Sequence, residues 1–164
     1  MSETNNEIVD MQEDTQKGRF LTFSLGKEIF GIEIKFVTEI IGIQVITKVP
    51  EVPAYVKGII NLRGKIVPVI DVRLKFKKEA LEYNDRTCII VIDIEEVSVG
   101  LIVDNVAEVV TISADNIALP PANKTGFENK YIKGIGKSDN DIILLLECVK
   151  LLKSEELELI ENIK

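Results

Sequence analysis

The sequence contains no histidine, which removes the commonest general base at neutral pH and the commonest zinc ligand. Its two cysteines, Cys88 and Cys148, stand inside apolar runs with no CxxC spacing. They read as core hydrophobes of a reducing compartment. None of Ser24, Ser98, Ser113, Ser138 and Ser154 sits in a nucleophile elbow. Gly134-Ile135-Gly136 lacks the third glycine and the following helix of a phosphate-cradling loop. Catalysis and a cofactor are therefore not expected. Aromatic residues are only 5% although 46% of the chain is apolar, so the core is aliphatic and β-branched, with few rings on which bases could stack. Basic residues are the minority, 20 against 27 acidic, giving a net charge of −7 and a pI near 4.8. That balance disfavours nucleic acid and anionic membrane surfaces as partners. No apolar run approaches the roughly 20 residues of a membrane span, and the first residues lack a secretory pattern. The expectation is a cytoplasmic protein with no nucleic-acid partner and no membrane insertion.

What is present is a series of strand patterns. At 164 residues and 18.3 kDa the chain is one domain, or two small halves sharing a core. Residues 1–17 carry Glu3, Glu7, Asp10, Glu13 and Asp14 against a lone Lys17 and read as a disordered acidic tail. Arg19–Leu25 alternates as a strand, and Gly26-Lys27 turns it into a second at Glu28–Ile32. Apolar positions 36, 37, 40 and 41 fit the 3.6-residue period and predict one or two helical turns ending near Gly42. The β-branched run Val45–Val49 follows. The chain is organised around residues 54–76, where Gly58–Asn61 and Ile66–Ile70 flank a polar turn with Arg63 at its tip. Pro68, lacking an N–H, predicts an edge strand or a bulge for the second run, and Asp71 predicts the cap of a short helix over Val72–Phe76. Residues 77–86 form a polar link. Strands resume at Thr87–Ile94 and Val97–Val103, with a helical or kinked pattern at 104–110. Ser113–Asn129 is loop-like, Tyr131–Gly136 and Asp141–Glu147 form another hairpin, and Ser154 caps a final helix.

Two blocks of the chain recur. Gly31–Ile41 aligns with Gly100–Val110 at an offset of 69 (100 − 31), with a valine and a glutamate at matching places. Val56-Lys57-Gly58-Ile59 aligns with Ile132-Lys133-Gly134-Ile135 at an offset of 76 (134 − 58). The order and the two independent blocks point to an internal duplication. A half with few aromatics would be marginal alone, so the halves share an apolar seam. The matched segments Phe36–Ile41 and Asn105–Val110 should take equivalent places in the two halves, with the seam as a groove for a partner.

With strands, turn and duplication in hand, the chain resembles the chemotaxis coupling protein CheW family over about residues 18–162. The resemblance is carried by Lys57-Gly58-Ile59-Ile60-Asn61-Leu62-Arg63-Gly64 and Ile66–Arg73, by Phe23–Gly26 with Gly31-Ile32, by Val37–Ile40, and by Gly100–Asp104. It implies an all-β fold with short helices, namely two intertwined five-stranded SH3-like β-barrels on a shared hydrophobic seam. The implied division is a tail at 1–17, a first barrel half at 18–80, a second at 81–148 and a C-terminal helical segment at 149–164. The implied role is a non-enzymatic adaptor that couples methyl-accepting chemoreceptor tips to the regulatory domain of the histidine kinase CheA. By the same resemblance, receptor contacts fall on Val37, Glu39, Arg63, Gly100 and Val109, and kinase contacts on Lys57 and Gly58. From the residues themselves, each valine is equally a core residue, Gly58 equally a backbone requirement, and Lys57 equally a solvated lysine. Glu39 and Arg63 are either an ion pair orienting the hairpin or two solvated charges. The alternative reading is a free-standing barrel module that binds another protein or nucleic acid.

Overall fold

A computed structural model of the protein describes residues 16–120 and 131–152. All but the last two residues of the expected tail, and the helix expected from Ser154, lie outside them. The strands are β1 (Arg19–Leu25), β2 (Glu28–Glu33), β3 (Val37–Gly42), β4 (Val56–Leu62) and β5 (Lys65–Asp71), followed by β6 (Cys88–Ile94), β7 (Val97–Val103) and β8 (Asn105–Thr111). The two-residue β9 (Ile117–Ala118), β10 (Ile132–Ser138) and β11 (Asp141–Leu146) complete them. The short helices α1 (Val72–Lys75) and α2 (Cys148–Leu152) each follow a hairpin.

Hydrogen bonding sorts the strands into two sheets, sheet A in the order β8-β1-β2-β11-β10-β9 and sheet B in the order β3-β6-β7-β5-β4. Within each, one parallel contact, β2 with β11 and β7 with β5, joins antiparallel sets. Neither sheet comes from one half of the sequence: sheet A takes β1 and β2 from the first half, and sheet B takes β6 and β7 from the second. The all-β expectation of two interlocked five-stranded units holds, with β9 as a short addition to one of them.

Alternation along the strands explains the interlock. Leu21, Phe23 and Leu25 of β1 and Ile90, Ile92 and Ile94 of β6 all face one shared core, joined by Ile70, Leu101 and Leu146. The opposite faces fill each barrel separately. Val67, Val69, Ile89 and Val91 pack inside sheet B, while Phe20, Ile112, Ile143 and Leu145 pack inside sheet A. Strands buried on both faces must be apolar throughout, which is why aliphatic residues dominate a chain so poor in aromatics.

The duplication is visible in the packing. Gly31 and Gly100 sit where a Cβ would lie 3.0 Å from Leu145 and 2.7 Å from Val69, so the strands approach as only glycine permits. The Asp71 N–H donates to the Tyr55 carbonyl and the Glu147 N–H to the Tyr131 carbonyl, both at 2.7 Å. Lys57 in β4 and Lys133 in β10 are each the extra residue of a bulge against the following strand. Asp71 caps α1 as expected, its Oδ1 accepting from the Leu74 N–H at 3.3 Å.

Three expectations need correction. Val37–Ile41 is not helical; Ile34–Phe36 makes one 3-10 turn and β3 follows. Residues 105–110 likewise belong to β8 and are not helical, so of the helical or kinked pattern expected over 104–110 the kinked form is found, as a bulge. Thr38 is an extra residue in β3 opposite β6, and β8 carries another opposite β1, so bulges break the alternation that would have marked both as strands. Strand β5 is flanked by β4 and β7 and is not an edge; the bulge expected as the alternative is in its ladder with β4, with Lys57 of β4 as the extra residue, and its ladder with β7 spans Val69–Asp71, starting one residue after Pro68. Of the Val45–Val49 run, Thr47 alone forms a bridge, exchanging two 2.9 Å hydrogen bonds with Ile59.

Candidate partner-binding site

Edge strand β3 and the β4–β5 turn meet at the rim of sheet B. Arg63 and Gly64 at the centre of that turn have φ of +53° and +84°, the signs of a type I′ hairpin turn, and Asn61 Oδ1 accepts the Gly64 N–H at 2.8 Å. Thus fixed, Arg63 reaches across to β3. Its Nη1 donates to Glu39 Oε1 at 2.8 Å and its Nη2 to Glu39 Oε2, a bidentate pair. The hydrogen bonds from Arg63 hold the Glu39 carboxyl below the usual glutamate range, and those to Glu39 raise the guanidinium in turn. Arg63 is 71% exposed, so the pair adds little stability; it sets the direction of two charges at a surface.

Around this pair lies a depression of about 360 Å³ lined by Leu62, Val67 and Val91 and by Thr38, Lys65, Asp93 and Ser98. Val37, two residues before Glu39 on the same strand, is half-buried against the shared core, and so is its repeat equivalent Val106 on β8. The two edge strands therefore border the same seam from opposite sheets.

Of the residues singled out from sequence, Glu39 and Arg63 come together here, whereas Val37, two residues earlier on β3, faces the shared core on the other side of the strand. Gly100 does not join them, being buried inside the sheet B barrel against Val69 and Ile89. Val109 lies on β8, the edge of sheet A, where it is 41% exposed; its repeat equivalent on β3, Ile40, is 44% exposed. Lys57 and Gly58 are on β4, where a Cβ on Gly58 would sit 2.0 Å from the Thr47 carbonyl oxygen and φ is +142°. Glycine is required there by the backbone. Lys57 forms no ion pair among the described residues, whereas Lys133 holds Glu33 at 2.7 Å.

Two side-chain groups escaped the sequence reading. One is a lock between the halves: Arg73 of α1 binds both oxygens of Asp104 at 2.7 Å, and the Gly26 N–H adds a 2.8 Å bond from the β1–β2 turn. Burial works to raise the Asp104 pKa, but the Arg73 and Gly26 hydrogen bonds outweigh it and hold the carboxyl below the usual range. The other is a chain from Lys65 through Ser98 to Asp93. Its one trace in sequence was a lone serine among the valines of β7.

Residues 19–156 match the family model described as a CheW-like domain. The chain is 37% identical over 150 residues to a protein of Klebsiella aerogenes named Chemotaxis protein CheW, an alignment covering 92% of this chain and 90% of that protein. It is 31% identical over 137 residues to the Bacillus subtilis protein of the same name, covering 84% and 88% respectively. Among solved structures, the scaffolding protein TtCheW of Thermoanaerobacter tengcongensis superposes with a TM-score of 0.78 at 36% identity, covering 85% of this chain and 94% of that one.

Proposed function

The chain belongs to the CheW-like family of chemotaxis scaffold proteins, which are not enzymes, and from that membership we propose that it couples the cytoplasmic tips of methyl-accepting chemoreceptors to the histidine kinase CheA. The observation that carries the receptor half is the edge strand β3, with Val37 against the shared core and Glu39 pinned by Arg63. An antiparallel helical receptor tip lays apolar side chains along this seam, and the charge pair fixes its register. Val109 extends the receptor surface onto sheet A, and Gly100 contributes from within by letting β7 and β5 close up. The regulatory domain of CheA binds elsewhere, at the bulge formed by Lys57 and Gly58, where the lysine is unpaired among the described residues. Two modest contacts suffice, because a repeated array supplies avidity. Recruitment to membrane-associated arrays follows from the receptor contact, and no helix among the described residues is long and apolar enough to cross a membrane.

Pull-down against receptor tips and against the kinase regulatory domain, run separately, tests this. Val37→Met and Glu39→Ala each reduce receptor capture severalfold and leave kinase capture intact. Equal loss of both partners would show that the variants misfold and would remove support for a receptor site on β3.

A further inference from the structure

Lys65 opens β5 immediately after the Arg63-Gly64 turn and lines the depression described above. Its Nζ donates to Ser98 Oγ at 2.6 Å, and Ser98 Oγ donates to Asp93 Oδ1 at 2.5 Å. Ser98 is only 3% exposed and faces Asp93 across the β6–β7 pairing, so the hydroxyl is fixed before Lys65 reaches it. No carboxylate of the described residues lies within ion-pair distance of Lys65, whereas the neighbouring Arg63 is matched by Glu39. An ammonium carries three donors, and one is used.

Fold requirements do not explain the arrangement. At the repeat-related positions of sheet A, Asp141 replaces Lys65, Ile29 replaces Ser98 and Ser24 replaces Asp93 (65 + 76, 98 − 69, 93 − 69). Sheet A therefore closes without a Lys–Ser–Asp chain, because the linking serine is an isoleucine there. In sheet B they place a positive charge beside Leu62, Val67 and Val91, oriented and in direct contact with no carboxylate of the described residues, Asp93 standing behind the Ser98 hydroxyl. The complementary ligand is a helix whose apolar residues lie about one turn from an Asp or Glu.

We propose that Lys65, positioned by Ser98 and through it by Asp93, is a specificity-determining contact of this depression and receives an acidic side chain of the receptor helix. This rests on the receptor reading of β3 given above. Ser98 and Asp93 are positioning residues and Lys65 is the contact.

The test is titration calorimetry of the full chain with a receptor-tip hairpin at low and high salt, with the kinase regulatory domain as a second ligand. Lys65→Met is expected to weaken receptor binding about tenfold and to flatten its salt dependence, with kinase binding and the urea midpoint unchanged. Lys65→Arg recovers most of the loss. Ser98→Val gives a smaller loss, and combined with Lys65→Met it costs no more than Lys65→Met alone. Wild-type affinity and salt dependence in Lys65→Met, with Glu39→Ala still impaired, would overturn the role of Lys65 and leave the receptor site standing. Wild-type affinity in both variants would overturn the receptor site as well. Equal loss of kinase binding in Lys65→Met would also overturn the proposal, by assigning Lys65 a structural role.

Discussion

Gly58 and Gly134 hold the same position in the two sheets, yet the lysines beside them behave differently. Each glycine lets an outer segment approach, Thr47 in sheet B and β9 in sheet A. Lys133 is tied to Glu33, but in sheet B the position equivalent to Glu33 is the buried Ile102, and Lys57 is left without an acid among the described residues. The edge-strand bulges diverge in the same way. In sheet A the Thr22 hydroxyl satisfies both the N–H and the carbonyl of Glu108, closing the bulge from within. In sheet B the bulged Thr38 donates to the Val91 carbonyl instead, and Glu39 turns outward to Arg63. Where the repeats agree, the shared feature is a packing or backbone requirement. Where they differ, the difference lies in how polar and charged side chains are paired, and in the proposed reading it is sheet B whose charges serve partners.

That comparison can be broken at several points. Gly58→Ala combines a positive φ with a Cβ against backbone, so it is expected to cost about 4 kcal/mol, from roughly 1–3 kcal/mol of overpacking and a similar amount of strain. Gly134→Ala meets the Ile117 side chain at 2.9 Å and costs about 2 kcal/mol. Urea unfolding of the pair checks this; equal costs would mean the two outer segments are not held differently.

Next in size is the lock between the halves. Arg73→Ala leaves the mostly buried Asp104 carboxylate with fewer donors and is expected to cost about 2 kcal/mol at neutral pH. Because the folded-state pKa of Asp104 is depressed, its contribution is present above the ordinary aspartate pKa of about 4 and is lost as pH falls through the folded value. The gap in stability between the wild type and Asp104→Asn should therefore narrow below about pH 4. A gap that stayed constant with pH would show that the Arg73 hydrogen bonds do not act on the charged form.

The smallest effects on stability belong to the lysines. Lys133→Ala breaks a half-exposed ion pair worth about 0.5 kcal/mol, and Lys57→Ala is expected to cost less still. On capture by the kinase regulatory domain the order reverses, with Lys57→Ala impaired and Lys133→Ala unaffected. A pull-down in which both lysines matter equally would erase the functional distinction between the sheets.

Much of this was legible in sequence because it rests on local chemistry. The hairpin around Arg63-Gly64, the Asp71 cap and the repeated glycines each follow from what a turn, a helix start or a close strand approach demands. The edge strands β3 and β8 were hidden, since a one-residue bulge destroys the period-two signal and leaves apolar spacings that imitate a helix. The Glu39–Arg63 pair was open to two readings, because its residues are 24 apart and meet only once β3 joins β6. Arg73 with Asp104 and Lys65 with Ser98 were not legible at all. Both depend on the exchange of strands between halves, which no local pattern encodes.

In the proposed reading one chain is held by two partners at separate surfaces. Co-sedimentation of membrane-bound receptor tips with the soluble kinase regulatory domain would reveal such a bridge. The kinase domain should pellet with the wild-type chain and not without it, and both Glu39→Ala and Lys57→Ala should carry down severalfold less of it, the first by reaching the receptor poorly and the second by reaching it without the kinase domain. If the kinase domain pelleted equally well without the chain, or if Lys57→Ala also left the receptor, the bridge between two surfaces would be contradicted.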